Sequence, residues 1–147
     1  NTGGTAVFTI TPDTGYRIAD VGVDGVSQGA LAVYTFTNVT ADHTITAAFA
    51  IKTFTLTMTT TAFIVNASAP TVTTPGAGSA GITPTVGAHP FAYGTVVTLT
   101  AAAQPGWRFA GWTGDADCAD GMVTMVADVS CAARFETHRA YVPLALR

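Results

Sequence analysis

Apolar and polar residues alternate with a period of two along several short stretches of this chain, and no stretch has a helical period. The alternation is clearest in Lys52–Thr60, where threonines separate Phe54, Leu56 and Met58. This pattern is typical of a strand with one buried face. Glycine- and proline-containing turns separate the stretches. The predicted strands are Thr5–Thr11, Tyr16–Val23, Val26–Ala30, Val33–Asn38, His43–Phe49, Lys52–Thr60, Thr95–Ala101, Trp107–Trp112, Val123–Val126 and Ser130–Phe135.

Two pairs of segments recur along the chain at nearly the same separation, about 90 residues. Gly15–Val21 and Gly106–Trp112 each contain a glycine, an aromatic ring, an arginine and an apolar residue in that order. Ala41–Phe49 matches Ala127–Phe135 in the same way. The chain is therefore interpreted as two copies of one small β unit.

The residues of both copies resemble a known family. The segment FTITPDTGYRIADV with its later partner YTFTNVTADHTITAAFA, and GTVVTLTAAAQPGWRFAGWTGD with VTMVADVSCAARF, resemble bacterial extracellular repeats related to the internalin B-repeat group. Together they cover most of residues 1–136. The resemblance implies small all-β modules, described as β-grasp-like, that are strung along secreted and surface proteins. It implies a structural or adhesive role and supplies no catalytic residues.

The predicted fold is all-β, with two small antiparallel modules, β-grasp-like or sandwich-like, in tandem and a C-terminal strand of the donor type. The first module spans residues 1–50, the second spans 51–136, and a strand-like tail spans 137–147. Ala50–Lys52 contains no Pro, Gly or Ser, so no flexible linker is expected between the modules. Residues 61–90 are predicted to form a long irregular loop, because four prolines exclude helix and central strand over most of it.

Composition and charge exclude several kinds of partner. The net charge is −3 and the pI is about 5.3, so no basic field exists to attract nucleic acid or anionic lipid. Hydrophobic residues make up 48% of the chain, but no run reaches the roughly 18 apolar residues that a spanning helix needs. The chain opens without an initiator methionine or a signal peptide, which favours an exported and processed chain. An extracellular or cell-surface location in a bacterium is expected.

The two modules differ at their beginnings. The second module opens with Lys52–Thr60 before it reaches Thr95–Ala101, whereas the first begins directly at the counterpart strand, Thr5–Thr11. We therefore expect the first module to lack its opening strand, which would leave unpaired backbone groups and an apolar acceptor groove. The predicted groove residues are Val7, Phe8, Ile10 and Phe49.

The tail has the opposite property, because it is strand-like and has no partner in its own module. Its predicted polymerisation residues are Tyr141, Val142, Leu144 and Leu146. A tail that fills the groove of another copy would satisfy both ends, and a head-to-tail contact of this kind gives a filament. The hypothesis is a structural subunit of an extracellular bacterial filament or surface fibre, a homopolymer. The alternative is a stalk or adhesin repeat module, or a fragment of a larger surface protein.

Cys118 and Cys131 are predicted to form a disulfide, because an even pair in an exported β protein without nearby metal ligands is typical of one. The turn between them is acidic, and Asp115, Asp117 and Asp120 are weak candidates for calcium ligands. Their spacing differs from that of an EF-hand, so a solvated acidic turn is the preferred interpretation. No cofactor and no metal are expected.

An enzymatic function is not expected. The three histidines are far apart, and the chain contains no nucleophile elbow, P-loop or zinc-binding HExxH motif. Tyr16, Trp107 and Trp112 allow a further alternative, a carbohydrate-binding accessory module that takes a surface glycan. Because Tyr16 and Trp107 occupy the same position in the repeated motif, these rings are expected to belong to the core instead.

Overall fold

The computed structural model describes residues 3–66, 69–73 and 77–138. Contacts divide the chain into two compact units, unit 1 (Asn1–Lys52) and unit 2 (Thr53–Arg147). Both units are all-β, as the alternating pattern predicts, and the described residues contain one short 3-10 turn at Ala116–Cys118. No helix in the described ranges is long and apolar enough to cross a membrane.

Unit 1 contains two small antiparallel sheets. Its strands are β1 (Gly4–Thr9), β2 (Tyr16–Val23), β3 (Val26–Ser27), β4 (Val33–Val39) and β5 (Ile45–Ile51). One sheet pairs β1 with β4, and the other has the order β3-β2-β5. Asp24 and Gly25 have φ values of 50° and 78° in the turn between β2 and β3, which explains why this Asp-Gly pair forms a tight hairpin.

The core of unit 1 is small. Val21, Val23 and Phe36 are its buried residues, and a few partly buried apolar side chains pack against them. Phe8 lies edge-on to Phe36 with ring centroids 5.7 Å apart, yet Phe8 is still exposed. Much of the apolar surface of unit 1 therefore remains in contact with solvent.

Unit 2 is larger and has a more complex sheet. Its strands are β6 (Thr53–Asn66), β7 (Ala69–Thr73), β8 (Ser79–Thr83), β9 (Gly87–Ala92), β10 (Val96–Thr98), β11 (Thr100–Ala103), β12 (Arg108–Gly114), β13 (Met122–Thr124) and β14 (Val129–His138). The main sheet has the order β12-β14-β6-β7, and β9 also pairs with β6. β10 pairs with β13, and β11 pairs with β8.

The first and last strands of unit 2 pair in parallel, so this module is not purely antiparallel. β6 and β14 are in register from Leu56 opposite Val129 to Val65 opposite His138. A parallel pair needs a long crossover between its strands, and the segment between β6 and β14 supplies it. The core lies beneath this pair and consists of Leu56, Met58, Ile82, Val97, Leu99, Cys118, Val123, Met125, Val129, Cys131, Ala133 and Phe135.

The prediction of a long irregular loop over residues 61–90 is wrong. β6 continues to Asn66, and β7, β8 and most of β9 lie in this range. The prolines are compatible with strands because, among the described strands, β7 and β9 each pair with β6 alone, so a missing outward N–H does not break the sheet. Pro84 lies in the turn between β8 and β9, after a cis peptide bond.

Candidate functional site

The repeated segments occupy equivalent places in the two units. β2 pairs antiparallel with β5, and β12 pairs antiparallel with β14. The pairing register of both strand pairs shifts at the same place in the repeated motif. In unit 1 the shift follows the pair Ile18 and Phe49, and in unit 2 it follows the pair Phe109 and Phe135. Strand β5 is therefore the counterpart of β14.

The two counterparts differ in the number of their neighbours. β14 lies between β12 and β6. β5 pairs with β2 on one side, and no other strand of the described chain pairs with it. We call the edge of β5 that faces away from β2 the open edge. In unit 2 this is the edge that β6 occupies.

Backbone hydrogen bonds identify which residues of β5 face the open edge. The N–H of Lys52 donates to Gly15 (2.8 Å) and the carbonyl of Thr44 accepts from Asp24 (2.9 Å), so even-numbered residues point toward β2. Val21, which lies opposite Ala47, uses its own N–H and carbonyl on its other side. Backbone groups alternate along a strand. The residues whose backbone faces the open edge are Ile45, Ala47, Phe49 and Ile51.

Side-chain burial shows the same difference between the units. Phe135 is 0% exposed in unit 2, whereas its counterpart Phe49 is 46% exposed. Ala133 is completely buried, and its counterpart Ala47 is exposed. The face of β14 that is buried in the core of unit 2 therefore corresponds to a largely exposed face of β5 in unit 1.

A surface depression lies next to Phe49 of the open edge. It has a volume of about 180 Å³ and is lined by Thr11, Asp13, Tyr16 and Phe49. The depression is shallow and faces solvent, and its four lining residues all belong to unit 1.

The counterpart of this depression in unit 2 is filled by Gly78, which precedes β8. A Cβ atom on Gly78 would clash with the ring of Trp107 and would lie 3.0 Å from the Cβ of Phe135. The carbonyl of Gly78 accepts the N–H of Gln104 at 2.9 Å. Because no described segment of unit 1 corresponds to Gly78, Tyr16 is 43% exposed, and the prediction that Tyr16 belongs to the core is wrong.

The four predicted groove residues are distributed over two sheets. Val7 and Phe8 lie on β1 and Phe49 lies on β5, while Ile10 follows β1 and packs against the core. Of these residues, Phe49 alone lies on the open edge. Sequence reasoning missed Ile45, Ala47 and Ile51, and comparison of β5 with β14 identifies them. The predicted polymerisation residues Tyr141, Val142, Leu144 and Leu146 lie outside the described residues.

The predicted disulfide is present. Cys118 and Cys131 are bonded, with their Cα atoms 5.7 Å apart, and both side chains are buried. The bond joins the short 3-10 turn to β14. Its place in the core indicates a structural role.

The three acidic calcium candidates instead accept backbone hydrogen bonds. Asp115 accepts the N–H of Ser130 (2.7 Å), Asp117 accepts that of Thr124 (2.8 Å), and Asp120 accepts that of Met122 (2.9 Å). In the described part of the chain, no three His, Cys, Asp or Glu side chains cluster to hold a metal ion. These carboxylates therefore organise the turn.

Asp115 has a counterpart in unit 1 that sequence reasoning missed. Asp24 accepts the N–H of Thr44 at 2.8 Å, just as Asp115 accepts that of Ser130. His43 Nδ1 lies 2.7 Å from the second oxygen of Asp24. The hydrogen bond from Thr44 and then the one with His43 hold the pKa of Asp24 below its usual value of 3.8. The signal in the sequence is an aspartate directly after each repeated strand.

Unit 2 also contains a charged cluster that the sequence did not predict. Glu136 is nearly buried and lies 2.6 Å from Arg108 Nη2 and 2.8 Å from Arg134 Nη2. The guanidinium of Arg134 lies over the ring of Phe63, 4.5 Å from its centroid. The counterpart of Glu136 in unit 1 is Ala50, so this cluster is specific to unit 2.

The tryptophans are not free rings on a surface. Trp107 and Trp112 are partly buried and pack against the core of unit 2, as predicted for core residues. Tyr16 belongs to unit 1. This arrangement gives no support to the interpretation as a carbohydrate-binding module.

One family matches the chain. Residues 70–139 match the family described as a divergent InlB B-repeat domain. This range covers almost all of unit 2 after β6. No curated protein and no solved structure matches the chain.

Proposed function

We propose that this chain is a structural repeat module of a bacterial surface protein, because it is related to the internalin B-repeat group. We further propose that copies of the chain join head to tail by strand addition. Unit 1 of one copy accepts a strand from another copy, and repetition of this contact builds an extracellular filament. A contact of this type need not close into a ring, so it can continue indefinitely.

The open edge of β5 is the observation that carries this proposal. An edge with unpaired N–H and C=O groups is a template for another chain, and natural proteins usually protect such edges. β5 lacks two of the usual protective features, because its sequence, ITAAFAI, contains no charge and no proline. In unit 2 a strand from the same chain covers the equivalent edge.

The C-terminal tail is the proposed donor. Val142, Leu144 and Leu146 are spaced by two, so an extended tail would present all three on one face. Pro143 lacks an N–H and is acceptable in an edge strand. Each tail would add apolar side chains to a unit whose own core is small.

Removal of Tyr141–Arg147 tests whether assembly of the filament depends on the tail. The full chain is expected to form concentration-dependent assemblies in sedimentation velocity and filaments in electron micrographs, and the truncated chain is expected to remain monomeric. Leu144→Asp should also prevent assembly, whereas the matched control Ala145→Asp, on the other face of the tail, should not. Filaments that persist without the tail would exclude it as the donor.

A second candidate function is a stalk module within a larger surface protein. The one-residue connection between β5, which ends at Ile51, and β6, which begins at Thr53, favours repeats arranged in series along one chain. This function predicts a chain that stays monomeric at every concentration in the same sedimentation experiment. The two candidates therefore give opposite results.

A further inference from the structure

We infer that unit 1 accepts its missing strand on the open edge of β5, in parallel orientation, and that the accepted strand has the chemistry of β6. That chemistry is an extended segment with apolar residues at alternate positions, as in β6 and, in sequence, at Val142, Leu144 and Leu146 of the tail. The inference rests on the proposed function in one respect, that unit 1 takes up a strand. It adds which edge is used, which direction the strand runs and which side chains it carries.

Unit 2 provides the template for this contact. β14 pairs with β6 in parallel, with Cys131 opposite Met58, Ala133 opposite Thr60 and Phe135 opposite Ala62. The counterparts of these β14 residues in β5 are Ile45, Ala47 and Phe49. Because β5 and β14 share the register and the bulge of their other neighbour, the same partner geometry is available to β5.

The backbone of unit 2 agrees with this assignment. Thr59 Oγ1 on β6 donates to the carbonyl of Cys131 at 3.4 Å, so the backbone of Cys131 faces β6. Its counterpart, Ile45, is among the residues that face the open edge of β5. The donors and acceptors of β5 therefore point in the direction where a β6-like strand would lie.

The side chains specify what the partner must carry. Met58, Thr60 and Ala62 are all buried against β14, and the residue opposite the large ring of Phe135 is the small Ala62. By analogy, the strand on β5 needs a bulky apolar residue opposite Ile45 and a small residue opposite Phe49. A strand with a large side chain opposite Phe49 would meet that ring.

Three variants of the full chain, one of them a control, test whether the open edge of β5 binds the strand. In free unit 1 the side chain of Ala47 is exposed, so Ala47→Lys should leave the fold intact, but the counterpart Ala133 is completely buried in the core next to the paired strand β6. Ala48→Lys is the control, because Ala48 is also exposed and its counterpart Arg134 is already charged and partly exposed. Ala47→Pro is a second variant, which removes an outward N–H and no bond to β2.

The probe is a synthetic peptide with the sequence of Thr53–Ala62, compared with a scrambled peptide. Binding is followed by chemical-shift changes in the isotope-labelled full chain. The expected result is saturable binding to the parent chain and to Ala48→Lys, with at least a tenfold loss for Ala47→Lys and for Ala47→Pro. Equal binding by the scrambled peptide, or undiminished binding by both Ala47 variants, would overturn the inference.

A spin label on the peptide tests direction. In the parallel arrangement the C-terminal end of the peptide lies near Phe49, so a label there should broaden the amide signals of Phe49 and Ile51. A label on the N-terminal end should broaden the signals around Thr44. The reversed pattern would refute the parallel orientation.

The outcome separates this inference from the polymer proposal. If the full chain never assembles but the peptide binds as described, the assignment of the edge stands and the polymer fails. If filaments form and Ala47→Lys assembles as well as Ala48→Lys, the polymer stands and the assignment of the edge fails.

Discussion

Phe49 and Phe135 occupy counterpart positions, so replacing each with alanine measures how completely its unit is covered. Phe135 is completely buried, and truncation of such a phenylalanine costs about 3–5 kcal/mol in the free energy of unfolding. Phe49 is 46% exposed, so it loses only about half of the roughly 1.5–3 kcal/mol that full burial provides, or about 1 kcal/mol. The predicted costs therefore differ by at least about 2 kcal/mol.

The two units can be followed separately. Both tryptophans, Trp107 and Trp112, lie in unit 2, so tryptophan fluorescence during thermal or urea unfolding reports on unit 2. Unit 1 is followed by hydrogen exchange of the amide of Val21, a residue of its core. Phe135→Ala should lower the midpoint of the fluorescence transition by at least about 12 °C, at about 4–8 °C per kcal/mol for a unit of this size.

Equal losses at the two positions would refute the reasoning. Phe49 would then be covered in solution as completely as Phe135, and the edge of β5 would already be occupied. A control at high dilution shows whether a second copy covers Phe49, because coverage by a second copy weakens as the protein concentration falls.

Three further predictions concern the rest of the site. Reduction of the Cys118–Cys131 bond should lower the stability of unit 2 by about 3 kcal/mol on the loop-entropy model for a sequence separation of 13, and an unchanged urea midpoint would contradict this. The lowered pKa of Asp24 stabilises unit 1 above pH 3.8, and this contribution is lost as the pH falls through the folded-state pKa, so Asp24→Asn should flatten the acid dependence of Val21 exchange. Glu136→Gln should cost about 1–2 kcal/mol in unit 2, because it weakens charge-assisted bonds to partly exposed arginines; a tryptophan fluorescence midpoint unchanged from the parent would show that the cluster contributes nothing.

The sequence predicts features that depend on local patterns. Alternation identifies strands such as β2 and β5, and the repeated glycine turn before β2 and β12 is visible as a motif. The disulfide follows from cysteine number and exported context. These features need no knowledge of which strands become neighbours, so local chemistry is sufficient to find them.

Features that depend on distant partners could not be predicted in the same way. Four prolines predict a loop over residues 61–90, but the sheet tolerates Pro70 and Pro90 because their strands pair on one side only within the described part of the chain. Tyr16 shares its motif with Trp107, yet its burial depends on a segment equivalent to Gly78, which the described part of unit 1 lacks. The parallel pairing of β6 with β14 joins the two ends of a module, and no local signal specifies it.

That parallel pairing also explains why, of the four predicted groove residues, Phe49 alone lies on β5. The sequence predicts a missing strand next to Thr5–Thr11, because the counterparts of these two segments follow one another along the second module. In the structure, the opening strand β6 lies beside the closing strand β14. The corresponding side of β5, the closing strand of unit 1, has no partner strand among the described residues.

The energetics of the open edge assign different roles to its backbone and its side chains. For every two residues of an added parallel strand, two net hydrogen bonds contribute about 2 kcal/mol, while ordering those residues costs about 2–4 kcal/mol. Backbone pairing alone thus sets direction and register but does not hold a free strand. The remaining free energy of binding must come from burial of Phe49, Ile51 and Tyr16, each of which is nearly half exposed.

A donor that is linked to its acceptor avoids part of this cost. Linkage raises the effective concentration of the strand to about the millimolar range, and a filament achieves a similar effect because each copy is held at more than one contact. β6 itself is joined covalently to the unit that it completes. Unit 1 is therefore suited to a strand delivered by a neighbouring repeat or by an assembling copy, and a free peptide is expected to saturate it only at about this concentration.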